Sequence, residues 1–295
     1  MTASTDTPRV WFITGASSGF GLALTEAALE AGDRVVAAAR NPDRVSALAR
    51  RHPDRVSDLA QRHSDRMRTV RLDVTQPDQV RAAIKAGTAA FGRLDVVANI
   101  AGYGLFGALE EISEEDLRRQ VETNLFGVLN VTRAVLPQLR RQRSGHLVQM
   151  SSLSGVAPTA AGEGAYAATK FAVEGFSEVL AKEVAHLGIN VTIVEPGPFR
   201  TDFGTGSSIT AVRDADYDPS VGESLRWFEQ MAGTQSNDPA RGARAIIAAV
   251  AAHDPPLRLP LGPEALSAIR DKLSAHAREL DAWEHLSNST QFAGQ

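Results

Sequence analysis

From Val10 onward the chain alternates short β-branched or apolar runs with longer segments of helical period. That is the pattern of a parallel sheet covered by helices on both faces. The apolar runs predict strands over Val10–Ile13, Arg34–Ala39, Thr69–Val74, Leu94–Ala98, His146–Met150, Asn190–Glu195 and Arg258–Leu261. Two of them, VVAAA and VVAN, are apolar at consecutive positions, as expected where both faces of a strand are covered. The fold class predicted is α/β, a doubly wound parallel sheet of about seven strands with helices on both faces and a C-terminal helical extension.

The same pattern divides the chain into a flexible polar N-terminus, residues 1–9, and one domain, residues 10–295. Within that domain, residues 204–240 carry Trp227, Phe228 and Met231 and follow closely on Phe203; this apolar stretch suits a mobile lid over a hydrophobic ligand. Residues 263–288 predict a C-terminal helix whose Leu266, Ile269, Leu273, Leu280 and Trp283 share one face, packed on the body or on a partner. One further feature is a tandem duplication: PDRVSALARRH, Pro42–His52, is followed directly by PDRVSDLAQRH, Pro53–His63. It carries no ligand-like cluster and reads as a solvated elaboration of a crossover helix.

Composition narrows the partners. A formal net charge of −4 leaves no basic excess to meet a polynucleotide or an anionic membrane, so neither is an expected partner. With Cys 0 there is no disulfide framework and no catalytic or metal-binding thiolate. No signal-like apolar stretch opens the chain, and no run of about 18 apolar residues occurs later. A soluble, cytoplasmic protein is the expectation.

The first predicted strand runs into Thr14-Gly15-Ala16-Ser17-Ser18-Gly19-Phe20-Gly21, and a helical segment follows. Such a turn lets backbone amides and the positive end of a helix approach a pyrophosphate, the arrangement of a Rossmann-like dinucleotide site. At the end of the second strand, where an acidic residue would bind the ribose of NAD, stand Ala39 and Arg40. A missing carboxylate and an adjacent guanidinium favour a 2′-phosphate, hence NADP(H) over NAD(H), with NAD(H) still allowed. Asp73 and Val74 close the third strand at the same edge, placed for an adenine amino group; Asp73 is alternatively a turn residue before Thr75.

Tyr166 and Lys170 stand four apart at the head of a strongly helical stretch and so project from one face. An ammonium beside a phenol favours phenolate and suits the pair to proton transfer. Three tyrosines and four lysines in 295 residues would give only about 0.04 such pairs by accident. Upstream, the fifth strand ends at Ser151 and Ser152, either of which is placed to hydrogen-bond a substrate oxygen. Asn124 lies mid-helix in VETNLFGVL, where asparagine has poor propensity.

Together these motifs resemble the classical short-chain dehydrogenase/reductase family, from Val10 to about Thr290. Thr14-Gly15-x-x-x-Gly19-x-Gly21 matches the family's cofactor motif, and Asn99-Ile100-Ala101-Gly102 its Asn-Asn-Ala-Gly turn, with Ile100 the one departure. The resemblance implies a catalytic tetrad of Asn124, Ser152, Tyr166 and Lys170, with Ser152 chosen by its spacing to Gly155. It also implies that Lys170 binds the nicotinamide ribose, and that Pro196, Gly197 and Thr201 line the nicotinamide. Phrases such as FITGASSGFG and EPGPFRTDF look like the hydroxysteroid- and retinol-dehydrogenase-like branch. The function implied is an NADP(H)-dependent oxidoreductase that interconverts a carbonyl and an alcohol on a hydrophobic small molecule. Members commonly pair through the helices bearing Asn124 and Tyr166, so a homodimer or homotetramer is expected. A non-catalytic NADP(H)-sensing regulator on the same fold is the rival reading. Sugar-nucleotide epimerases share Tyr-x-x-x-Lys but space their glycines differently.

Overall fold

The computed structural model describes residues 7–41, 65–203 and 208–292. The duplicated segment, residues 42–63, lies outside the described residues. Seven strands form one fully parallel sheet: β1 (Val10–Thr14), β2 (Arg34–Ala39), β3 (Met67–Arg71), β4 (Val96–Asn99), β6 (Gly145–Met150), β7 (Ile189–Pro196) and β9 (Arg258–Leu261). Their order across the sheet is β3-β2-β1-β4-β6-β7-β9. A two-stranded parallel ribbon, β5 (Leu105–Phe106) with β8 (Ser208–Ile209), stands apart from it.

The period-2 alternation of strand side chains sends neighbours to opposite faces, and each face meets its own helices. Trp11 and Ile13 pack under α1 (Gly19–Glu30) and α7 (Pro239–Ala251), whose Leu24, Ala28, Ala243 and Ile246 complete that core. Val10 and Phe12 pack on the other face, under α2 (Pro77–Phe91), α4 (Gly127–Gln142) and α5 (Gly164–Val184). α3 (Glu114–Val121) leads through a π-helical turn, Glu122–Phe126, into α4, while α6 (Glu223–Met231) belongs to the excursion between β7 and β9. The chain ends in α8 (Pro263–Asn288).

Strand order reverses between β1 and β4, so the crevice at their carboxyl ends is the natural ligand site of this sheet. The predicted strands are all present, β2 and β9 with the predicted bounds and the others with shifted ones. β3 was expected over Thr69–Val74 but ends at Arg71. The reason is local: the Asp73 carboxylate accepts from both the amide and the hydroxyl of Thr75, turning the backbone before α2. β4 begins only at Val96, and the amide and carbonyl of Leu94 are both taken by the Gln142 side chain instead of a neighbouring strand.

Candidate active site

The loop after β1 is shaped by its glycines. Gly15 has φ +67°, and a Cβ on Gly21 would lie 2.2 Å from the carbonyl oxygen of Gly15. The backbone therefore turns back on itself at a distance only glycine allows. The turn opens α1 at Gly19 behind an extended Ser18, and no side chain caps this helix. Its first amides remain available to an anion. Thr201, on the loop after β7, stands opposite: a Cβ on Gly19 would lie 3.6 Å from the Thr201 side chain. Arg40 is exposed on the bend that follows β2.

Beside this cradle, α5 presents Tyr166 and Lys170, both almost fully buried. The Lys170 ammonium donates to the carbonyl oxygen of Met150 at 2.8 Å and sits 5.6 Å from the centre of the Tyr166 ring. Burial depresses Lys170 from 10.5 to about 8, opposed by the Glu174 carboxylate one turn along the helix. Burial pushes the Tyr166 phenol above its ordinary value; the Ser152 hydroxyl pulls it down, and the Glu163 carboxylate raises it further. The sequence led us to expect an acidified phenol. In the folded protein itself desolvation outweighs the Ser152 hydrogen bond and the phenol is raised.

The two serines that spacing left open separate clearly. Ser151 turns away beneath Gly155, its Oγ 2.5 Å from where a Cβ would stand, toward Glu174. Ser152 caps the short turn Leu153–Gly155 by accepting from the amide of Ser154, and its hydroxyl is the one that reaches the phenol. Asn124 is fully buried in the π turn, a local widening common at functional sites. Its side-chain amide donates to the carbonyl of Tyr103 at 2.8 Å and to Thr169 Oγ1, while Oδ1 accepts from the amide of Tyr103. Gly102 lies directly above: a Cβ there would be 3.1 Å from Asn124 Oδ1 and 3.8 Å from Lys170 Nζ.

Aromatic side chains wall the other side. Phe106, on the β5–β8 ribbon, lies 5.7 Å from the Tyr166 ring, centre to centre, and stacks on Phe228 at 5.0 Å. Phe203 lies 5.5 Å from Tyr166. Ala108 and Val221 pack in the same apolar group and also line a cavity of about 440 Å³ with Gly107, Gly162 and Tyr217.

The chain as a whole has counterparts among known proteins. Residues 9–210 match the family described as short chain dehydrogenase. The chain belongs to the short-chain dehydrogenase/reductase family. It is 40% identical to the oxidoreductase BOA17 of Botryotinia fuckeliana over 95% of its own length and 98% of that protein's. It is similar, at 32% identity over 86% of the chain and 81% of the relative, to retinol dehydrogenase 8 of Bos taurus. A crystal structure of a short-chain dehydrogenase from Streptomyces avermitilis matches with a TM-score of 0.87 at 39% identity, covering 98% of this chain and 100% of that one. The chain is thus a short-chain oxidoreductase acting on CH–OH type substrates, in the retinol-dehydrogenase-like branch.

Not every residue singled out in this short-chain dehydrogenase's sequence faces the crevice. Thr14 Oγ1 accepts from the amides of Ile100 and Ala101, at 2.9 and 3.1 Å, so it anchors the turn after β4. Asn99 is buried, donating to Thr132 and Gln149, and Val74 packs in the core beside Gly127. Phe20 packs edge-on against Phe199 at 4.8 Å, next to Gly242 of α7. Pro196 ends β7, Gly197 donates to the Leu261 carbonyl, and Ser17 and Ala101 are half-buried at the loop edges. Phe106 was missed, because a two-residue strand carries no period to read. Also missed was Arg258, which binds the buried Glu174 and Glu195 and the more exposed Glu178. Of the expected lid residues, Phe203 and Phe228 reach the apolar group around Tyr166, whereas Trp227 is half-exposed and touches Phe228.

Proposed function

We propose that this enzyme is an NADP(H)-dependent oxidoreductase interconverting a hydrophobic ketone or aldehyde with its alcohol, with Tyr166 as the general acid and base. The observation that carries the reading is the convergence of the Tyr166 phenol, the Ser152 hydroxyl and the Lys170 ammonium between the glycine turn and an aromatic wall. The uncapped amides of α1 behind a glycine turn fit a dinucleotide pyrophosphate. Ser17, Ser18, Gly19, Phe20 and Gly21 would hold it through their backbone, Arg40 the 2′-phosphate, Asp73 and Val74 the adenine. Thr14, Gly15, Asn99, Ala101 and Gly102 would shape the ribose side, and Pro196, Gly197, Thr201 and Lys170 the nicotinamide side. When bound, the nicotinamide supplies the carbon that gives or takes hydride.

The protein's part is proton handling. With its pKa raised by burial, the Tyr166 phenol is protonated at neutral pH, the form needed to protonate the oxygen of a carbonyl being reduced. The Ser152 hydroxyl stabilises the charge that develops on that oxygen. Lys170, still an ammonium at neutral pH, holds a positive charge against the phenol ring and stabilises the phenolate left once the phenol has given its proton. Asn124 fixes the Tyr103 backbone and, with Gly102, closes the far side of Lys170. Phe106, Phe203 and Phe228 favour an apolar substrate. Similarity to retinol dehydrogenase 8, and to a 3-ketodihydrosphingosine reductase of Bacteroides thetaiotaomicron at 37% identity over 87% of the chain, supports that class. On α5, Phe171 and Val179 are exposed on one side with Gly175 between them, which supports a homo-oligomer formed through this helix.

The test compares wild type and Tyr166→Phe by NADPH and NADH absorbance over steroids, retinoids, aromatic ketones and sugars. Turnover of apolar carbonyls with NADPH is expected. The variant should lose turnover by at least about 10²-fold while keeping NADPH affinity. Unchanged turnover in the variant would reject the role of Tyr166, sugar-only activity the apolar site, and preference for NADH the role of Arg40. Tight NADPH binding with no turnover on any substrate would favour the regulator.

A further inference from the structure

α8 begins on the body of the protein and then leaves it. Ala265 and Ile269 are buried, whereas Leu273, Leu280 and Trp283 are 60%, 61% and 63% exposed. Large apolar side chains held in water along one helix face call for an occupant.

The spacing identifies the kind of occupant. Leu266, Leu273 and Leu280 recur every seven residues, and His276 and Trp283 stand three positions after the last two, while Ile269, three after Leu266, is buried against the body. This is the seam of a coiled coil. The charged residues flanking the seam are Arg270 and Lys272 in the first half and Glu279 and Glu284 in the second. A flank that is basic then acidic complements itself when the helix is paired with a reversed copy under two-fold symmetry.

Only one register satisfies every charge. If Leu273 is set against the partner's His276, Leu266 meets the partner's Trp283. In that register Lys272 faces the partner's Glu279 and Arg270 faces the partner's Glu284, each contact made twice by symmetry. Sliding the helices by one heptad would oppose Glu279 to the partner's Glu279. A parallel pair would set Glu279 against the partner's Glu284 and stack the two His276 rings. A lipid surface fits less well, because the outer half of the helix carries Glu279, Asp281 and Glu284 against the single cation Arg278.

We propose that α8 is a self-association helix, pairing antiparallel with α8 of a second copy through Leu266, Leu273, Leu280 and Trp283, with Lys272 bound to the partner's Glu279 and Arg270 to the partner's Glu284. The seam lies on a different helix from the one that carries Tyr166 and Lys170, and the proposal does not depend on the substrate.

The absence of native cysteine makes the register directly testable in the full-length chain. Leu266 and Trp283 lie about 25 Å apart along the helix at 1.5 Å per residue. Singly substituted Leu266→Cys and Trp283→Cys proteins, oxidised separately, should therefore give little disulfide-linked dimer. Mixed before oxidation, they should cross-link to each other. Self-linking of either variant alone, or no excess in the mixture, would overturn the proposal. Sedimentation supplies the second arm. Lys272→Glu or Glu279→Lys should each weaken association about tenfold at low salt, and the double exchange should restore it. Equal association in all four proteins would overturn the proposal, as would recovery of the chain with pelleted vesicles of phosphatidylcholine and phosphatidylglycerol. Each substituted side chain is solvent-facing, and circular dichroism checks that folding is intact.

Discussion

Lys170 is held in the fold against its own preference, and replacing it with methionine measures by how much. Burial lowers the ammonium from 10.5 to about 8, so the folded chain gives up the proton more readily than the unfolded chain does. Folding then costs about 3 kcal/mol at pH 7, where both states are protonated, and this cost disappears as pH rises through 8 toward 10.5. Met fits a similar volume without charge, but it leaves the Met150 carbonyl without its 2.8 Å donor, a loss of about 1–2 kcal/mol. Lys170→Met is therefore expected to be more stable than wild type at pH 7 by about 1–2 kcal/mol while losing catalysis. The firmer expectation is the trend, since the hydrogen-bond loss cancels when two pH values are compared. Between pH 7 and pH 10 wild type should gain about 2.5 kcal/mol on the variant. Urea unfolding midpoints at the two pH values, without nucleotide, read this out. A stability difference that stays constant over that interval, or moves in the variant's favour, refutes the reasoning.

Three further expectations follow from the core. His146, buried and paired with Thr192 at 2.8 Å, is depressed from 6.5 to about 4, so its unfolded form takes up protons first; relative to His146→Leu, wild type should lose up to about 3 kcal/mol as pH falls from 6.5 to 4, measured by urea unfolding. Arg258→Met leaves Glu174 and Glu195 buried without their cation and should cost about 3–5 kcal/mol at neutral pH by thermal or urea unfolding. Burial raises both carboxyl groups, Glu174 to about 7, so that loss should shrink by pH 5 as they protonate. Gly21→Ala should weaken NADPH binding at least about tenfold in a fluorescence titration, because the new methyl meets the Gly15 carbonyl at 2.2 Å; the roughly 1 kcal/mol that alanine normally gains in a helix cannot offset a backbone clash.

What the sequence discloses here depends on how far apart the partners are in the chain. Tyr166 and Lys170 are one helical turn apart, so spacing alone puts them on one face. The glycine turn is equally local, and its neighbours in sequence define it. Ser151 and Ser152 are local as well, yet only the fold of the following turn under Gly155 decides which of them reaches the phenol. Asn124 sits in a π turn whose extra residue leaves no mark in the hydrophobic period. Phe106 and Arg258 were not legible, because the first is placed by a ribbon to Ser208–Ile209 about a hundred residues on, and the second by carboxylates on two other elements. The acidity of Tyr166 could not be read from spacing either, since burial is a property of the whole domain rather than of a neighbour four residues away.

The excursion that carries Phe203 and Phe228 of the aromatic wall leaves at Phe199 and returns at Asn237, two residues bridged side by side, with the Arg200 amide donating to the Asn237 carbonyl at 2.9 Å. Its two ends are thus pinned together by that bridge, and lengthening what hangs between them adds only a slowly growing closure entropy. For an engineer this is a socket: an excursion from a relative, grafted between these two residues, would bring a new substrate preference while Tyr166, Lys170 and Ser152 stay in place.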